Sequence, residues 1–225
     1  MKIAIIGGTG MVGSVITREA VDRDHQVTVI TRNQNRAKEI FFNTVEYLET
    51  DAFELKIDNL NQFDVVIDAY APSSDEDVEN HVKLAKYLIE LLKNTEKPRI
   101  GFILGSSSLI NPETGDYIAK SLKATPDNRA EFWLPTAMAQ FDEYLYLKDV
   151  EDVNWFAFSP QPMFTKGNIT EYKIGTDSPI DEGTLSTGNA AAAILDEIEE
   201  PKFEKQRFTA ANIDHTDWSE VDLDF

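Results

Sequence analysis

Cysteine is absent from the 225-residue chain. No disulfide staples this fold, and no thiolate serves as nucleophile or metal ligand. That fits a cytoplasmic protein, which is the expected location, and no metal site is expected. Long apolar runs are also missing. Nothing approaches the roughly 18 consecutive apolar residues of a membrane-crossing helix. The N-terminus lacks the basic–apolar–small pattern of a secretory signal, because a strand begins at once and runs into glycine. Basic residues are in short supply: 21 Lys and Arg face 40 Asp and Glu, for a net charge of −19. This argues against nucleic acid and anionic membrane as partners. An anionic ligand must therefore be captured by local positive groups against the overall field. For the rest of the surface, acidity serves solubility.

What is present is ample material for a core, with 42% hydrophobic residues, on a length that suits one α/β domain. Lys2–Ile6 reads as a buried strand. Met11, Val12, Val15, Ile16 and Ala20 then have helical spacing. Between them lies Gly7-Gly8-Thr9-Gly10-Met11-Val12-Gly13. Glycines let a strand turn sharply into a helix and let backbone approach a ligand. The free N–H groups and partial positive charge at the helix start then hold an anion. The Gly7-x-x-Gly10-x-x-Gly13 spacing departs slightly from G-x-G-x-x-G. Its place between strand and helix favours a dinucleotide site over a purely structural turn.

The second strand, Gln26–Thr31, ends in Thr31-Arg32-Asn33, with Arg36 close behind. A carboxylate at this tip would bind ribose hydroxyls, whereas arginine accommodates a 2′-phosphate. Arg32 is read as that ligand, aided by Arg36 or Thr31, and so NADP is favoured with NAD still possible. The alternative is an ordinary solvated arginine. Asp51, after the third strand Val45–Leu48, either accepts from the adenine amino group or caps a turn. The fourth strand, Asp64–Ala69, runs into Tyr70-Ala71-Pro72, small residues over which a cofactor can lie. Asp68 is expected to satisfy neighbouring backbone N–H groups. Ser73-Ser74-Asp75 suits a cap for a helix over Glu76–Lys93, with His81 packed beside its apolar stripe. His25 is expected in a surface turn.

The fifth strand, Arg99–Leu104, ends in Gly105-Ser106-Ser107-Ser108, either hydroxyls facing the nicotinamide side or a plain serine loop. Asn111–Asp127 reads as an irregular excursion, punctuated by Pro112, Gly115 and Pro126. A helix over Asn128–Lys148, a strand over Asn154–Ser159, a short strand over Glu171–Ile174, a helix over Ser186–Glu199 and a last strand over Gln206–Ala210 complete the pattern. The expected fold is α/β: a Rossmann-type, doubly wound, mainly parallel sheet with helices on both faces and a small C-terminal substrate or lid region. The domain spans 1–211, with substrate or lid elements in 106–135 and 160–190. An acidic tail, 212–225, follows, with five acids and no Lys or Arg.

Several segments together resemble a known group. They are Lys2–Gly10, Thr31-Arg32-Asn33, Val65–Tyr70, Pro135-Thr136-Ala137, Phe158-Ser159-Pro160, Met163-Phe164 and Ile194–Glu199. The group comprises atypical short-chain dehydrogenase/reductase-like proteins named NADH-flavin reductases, near the NmrA-like proteins and the flavin/biliverdin reductases. The resemblance implies that Gly7, Thr9, Gly10, Met11 and Val12 line the pyrophosphate and that Arg32 meets the 2′-phosphate. It implies that Asp51 and Ala52 lie near adenine and Ala69, Tyr70 and Ala71 along the ribose. Gly105, Ser106 and Pro160 would lie near the nicotinamide. Departures from the group are Met11 where many relatives have arginine, Gly105-Ser106-Ser107 for a Gly-Gly-Ala type sequence, Asn189 where aspartate is frequent, and the acidic tail.

No catalytic group stands out. Tyr144 and Lys148 have the Tyr-x-x-x-Lys spacing of short-chain dehydrogenases, where lysine lowers the tyrosine pKa for proton transfer. They sit near the end of their helix, however, where the catalytic pair belongs near the start. The candidates are therefore Ser106, Ser107, Tyr144 and Lys148, and Met163, Phe164, Trp133 and Tyr70 are candidate apolar walls. The expected activity is NAD(P)H-dependent hydride transfer straight to a small planar acceptor, flavin or quinone-like, with flavin a substrate rather than a bound cofactor. The alternatives are a non-catalytic NADP(H) sensor and a sugar-nucleotide epimerase or dehydratase. A monomer or homodimer is expected.

Overall fold

The computed structural model describes residues 1–72, 77–124, 130–180 and 183–213. Eight strands form one sheet: β1 (Lys2–Ile6), β2 (Gln26–Thr31), β3 (Glu46–Glu49), β4 (Val65–Asp68), β5 (Arg99–Ile103), β6 (Trp155–Phe158), β8 (Tyr172–Gly175) and β10 (Gln206–Asn212). Two more, β7 (Met163–Thr165) and β9 (Thr184–Ser186), pair in a separate parallel ribbon. The large sheet has the order β3-β2-β1-β4-β5-β6-β10-β8. Its pairs are parallel except β10 with β8. The doubly wound fold expected from the sequence is thus the one observed.

Alternation along the strands explains the layering. Ile3 and Ile5 face one side, where they pack with Ile16 and Ala20 of α1 (Met11–Asp22) and with Ile194 and Ile198 of α7 (Thr187–Glu199). Ala4 and Ile6 face the other, against Leu84, Leu88 and Leu92 of α4 (Asn80–Leu92) and Leu147 of α6 (Ala130–Leu147). Parallel strands covered on both faces are apolar throughout, which is why they read as continuous runs. The run Ala190–Ala193 is wholly buried, and its small side chains let α7 lie close on α1.

Shorter elements differ from expectation. The excursion over Asn111–Asp127 contains a helix, α5 (Ile118–Ala124), which follows an Ile110–Tyr117 bridge and buries Ala119. Pro112 and Gly115, which suggested a loop, precede this helix, and Pro126 lies outside the described residues. Neither β7 nor β9 was expected, since three-residue strands carry too little periodicity to read. The sequence places a short helix over Arg36–Phe42, which is observed as α2 (Gln34–Phe41), and α3 (Ile57–Leu60) is one turn that was not predicted. β10 continues to Asn212, past the expected domain end at residue 211. There Asn212 Oδ1 accepts from Ser186 N–H and from Asn189 Nδ2, at 3.1 and 2.7 Å. The expected Ser73–Asp75 helix cap and the chain beyond residue 213 lie outside the described residues. No helix among the described residues is long and apolar enough to cross a membrane.

Candidate functional site

The strand order reverses between β1 and β4, and a cleft of about 400 Å³ opens at the tips of β1, β2 and β4. Open α/β sheets bind ligands at such a switch point. The first wall is the turn from β1 to α1. Gly7 has φ +72, and a Cβ there would lie 2.4 Å from the Ala69 carbonyl oxygen. A Cβ on Gly13 would lie 2.3 Å from the Gly7 carbonyl oxygen. Only glycine therefore permits the turn and the close packing of helix on strand. Gly10 precedes α1 with no side-chain cap, and no acidic residue occupies the first helical turn. The helix start thus offers unsatisfied N–H groups, as a pyrophosphate requires.

The second wall comes from β2. Thr31 Oγ1 accepts from Asn33 N–H at 3.1 Å, and Asn33 Oδ1 accepts from Arg36 N–H at 3.0 Å, capping α2. This turn puts Arg32 and Arg36 side by side on the cleft, both exposed. Neither makes an ion pair with another described residue. Asp51 also lines the cleft, but one of its oxygens accepts from Phe53 N–H at 2.9 Å and caps the turn. Of the two roles weighed for Asp51, the cap is present. The far wall is Ala69, Tyr70 and Ala71 after β4, closed by Phe53, whose ring meets Tyr70 edge-on at 6.5 Å.

Predicted residues distribute as follows. Gly7, Thr9, Gly10, Arg32, Asp51, Ala52, Ala69, Tyr70 and Ala71 all line this cleft. Met11 and Val12 do not: Met11 is exposed and Val12 packs beside the core, so any phosphate contact from them runs through backbone N–H. Phe53, Asp77 and Asn80 line the cleft without having been anticipated. Asn80 begins α4 and lines the cleft together with Tyr70. Only the three-dimensional path brings it there, although a polar residue at a helix start was a usable signal.

Gly105, Ser106 and Pro160 line a second cavity, of about 360 Å³, beyond the tips of β5 and β6. Trp133, Leu122, Phe164 and Pro162 make its apolar walls. Ser106 faces it. Ser107 also reaches it but donates its hydroxyl to the Ala137 carbonyl at 2.6 Å. Ser108 is buried, 2.7 Å from Ser159 Oγ. Met163, a candidate wall, is instead exposed outside the cavity. Tyr144 and Lys148 line neither cavity. The Tyr144 ring lies beneath the Arg207 guanidinium at 4.6 Å and against Tyr117, and burial raises the pKa of its hydroxyl. A proton donor would need the opposite shift.

Behind Tyr70 lies a buried polar cluster. Asp68 Oδ1 accepts from Tyr70 N–H at 3.0 Å, as expected for this residue, and burial pushes its carboxyl up to about 7. Glu143, from α6, is raised well above the carboxylate range by burial and by the neighbouring Asp68. His81, from α4, is lowered to about 4 by burial. Its Nδ1 stands 3.6 Å from Glu143 Oε2, beyond hydrogen-bond distance. Near pH 7 Glu143 and His81 are therefore held neutral, while Asp68 stands close to its midpoint. His25 differs: it bridges the N-terminal ammonium (3.2 Å) and Glu199 (2.9 Å) on the far side of the sheet. Asn189, fully buried, joins Thr170 to Asn212 and reaches no cavity. Among the described residues no group of three or more His, Cys, Asp or Glu could hold a metal.

A turn that only glycine can make, a bare helix start and a sheet reversal define a nucleotide-binding Rossmann-type protein. The sequence profile of a family described as NAD(P)H-binding matches residues 7–201, and the chain belongs to that family. It is 33% identical to the uncharacterized protein YwnB of Bacillus subtilis (strain 168), across 94% of this chain and 99% of that one. A crystal structure of a Lactobacillus casei protein superposes with a TM-score of 0.85 at 34% identity, covering 95% of this chain and 100% of that one. A Streptococcus pneumoniae TIGR4 structure, whose name of NADH-flavin reductase is provisional, gives a TM-score of 0.83 at 30% identity, covering 94% and 99%.

Proposed function

We propose that the protein is an NADPH-dependent reductase that passes hydride directly to a flat acceptor of the flavin or quinone kind. The observation that carries this reading is the pairing of two cavities at the tips of neighbouring strands. One is a glycine-walled cleft with two arginines, and the other is an apolar chamber without an acid–base pair among its described lining residues. When bound, the dinucleotide supplies hydride from nicotinamide C4. Gly7, Gly10 and the start of α1 hold its pyrophosphate, and Arg32 with Arg36 meets the 2′-phosphate. Trp133, Phe164 and Pro160 exclude water from the acceptor's face. Such a transfer depends on positioning and a dry site more than on a protein acid. The name carried by the Streptococcus relative agrees with this chemistry.

The test is NADPH oxidation by the purified protein with riboflavin, FMN or menadione. Turnover at least about tenfold above the protein-free rate is expected. NADPH binding without reduction of any acceptor would refute it and favour a redox sensor, which the same lack of a proton-transfer pair would suit.

A further inference from the structure

The second cavity contains no charged side chain among its described lining residues. Its polar groups are also unequal. Gln161 has both polar atoms engaged: Nε2 donates to Thr209 Oγ1 at 2.7 Å and Oε1 accepts from Ile180 N–H at 3.1 Å. The Ser107 hydroxyl is donated to Ala137. Gln140 differs, for its carboxamide makes no hydrogen bond to another described residue. It lies across Gly105, with Oε1 only 2.3 Å from where a Cβ on that residue would be. Gln140, half-buried, thus presents one acceptor and two donors that no other described residue engages, in the lining of the chamber beside the β5 tip. An unpaired amide in such a place favours a ligand that pairs with it and penalises one that leaves it bare.

We infer that the chamber takes an uncharged planar ring bearing an amide, imide or quinone carbonyl edge, and that Gln140 reads that edge. This rests on the reductase reading above. With no cation among its described lining residues and a net charge of −19 on the chain, the described walls offer nothing to a phosphate-bearing tail. The acceptor is therefore the unphosphorylated ring system, so riboflavin or a simple quinone is preferred to FMN, and FMN to FAD. The reaction balances as NADPH plus acceptor plus a proton from water, giving NADP⁺ and the two-electron-reduced acceptor.

The test combines binding with turnover. Riboflavin, FMN and FAD are titrated by quenching of flavin fluorescence in the presence of NADP⁺, and each is then assayed with NADPH. Riboflavin should bind about tenfold more tightly than FAD. Gln140→Leu should weaken riboflavin about tenfold and raise KM more than it lowers kcat, while Gln140→Glu, which loses both donors and gains a charge, should weaken it further. NADP⁺ affinity measured alongside shows that the variants are folded. Preference for FAD, equal riboflavin affinity in Gln140→Leu, or failure of the wild type to bind either riboflavin or menadione would overturn the inference. Gln140-dependent riboflavin binding without NADPH oxidation would leave the inference standing and sink the reductase reading instead.

Discussion

Arg32 illustrates how much a single side chain decides at the residue scale. Its backbone is fixed by the Thr31–Asn33 bond and the Asn33 cap, while its guanidinium makes no ion pair with another described residue at the cleft it shares with Arg36. In a protein this acidic, two cations on a nucleotide cleft, neither paired with another described residue, are the local counter-field that an additional phosphate requires. Met11 at the helix start contributes no side-chain charge, so under the proposed function any discrimination falls to the arginines. Arg32→Ala is expected to weaken NADPH by about 10- to 100-fold while leaving NADH within about threefold, a charge-assisted pair being worth roughly 1.5–3 kcal/mol. Calorimetric titration of both nucleotides decides it. Equal losses for the two would remove the 2′-phosphate role.

At the scale of elements, the reading from sequence succeeded where burial is symmetrical and local. The strands β1, β2, β4, β5 and β6 are apolar because both faces are covered, and the glycine turn is encoded within seven consecutive residues. The place of Arg32 on the cleft was readable for the same reason, since it stands at a strand tip. Phe53, Asn80 and Gln140 were not, because each reaches a cavity from an element whose docking depends on long-range packing. β7 and β9 escaped because three residues make no pattern. One long-range joint was wholly hidden. Arg99, which opens β5, is buried and pairs with Glu197 of α7 at 2.5 Å, donates to the Glu197 and Phe203 carbonyls, and stacks on Phe156 at 4.4 Å. Glu197 also accepts from the N–H groups of Lys202 and Phe203. Removing one partner leaves a buried charge. Glu197→Met should therefore cost about 3–5 kcal/mol in urea unfolding, and the double variant with Arg99→Met considerably less. Equal costs would mean that the pair contributes only through packing.

The molecule as a whole carries a pH dependence set in its interior. Asp68 and Glu143 have folded-state pKa values raised above their ordinary ones, so the stability they contribute is complete at low pH and is lost as pH rises through the folded values, about 7 for Asp68. His81 is lowered to about 4, so its contribution is complete above its ordinary value near 6.5 and is lost as pH falls toward 4. Between these limits the histidine opposes the carboxyls, and above about 6.5 only the carboxyls remain. Stability should then fall as pH rises, each retained proton costing about 1.4 kcal/mol per pH unit. Self-repulsion of the acidic surface acts in the same direction but is screened by salt, whereas the buried groups are not. Asp68→Asn separates the two. Its side-chain oxygen can still accept from Tyr70 N–H, but it no longer titrates. Measured by urea unfolding in high salt, the variant should gain on the wild type by about 3 kcal/mol between pH 5 and 8, an order-of-magnitude figure from the shift of Asp68. A gap that stays constant across that range would mean that Asp68 is ionised within the fold.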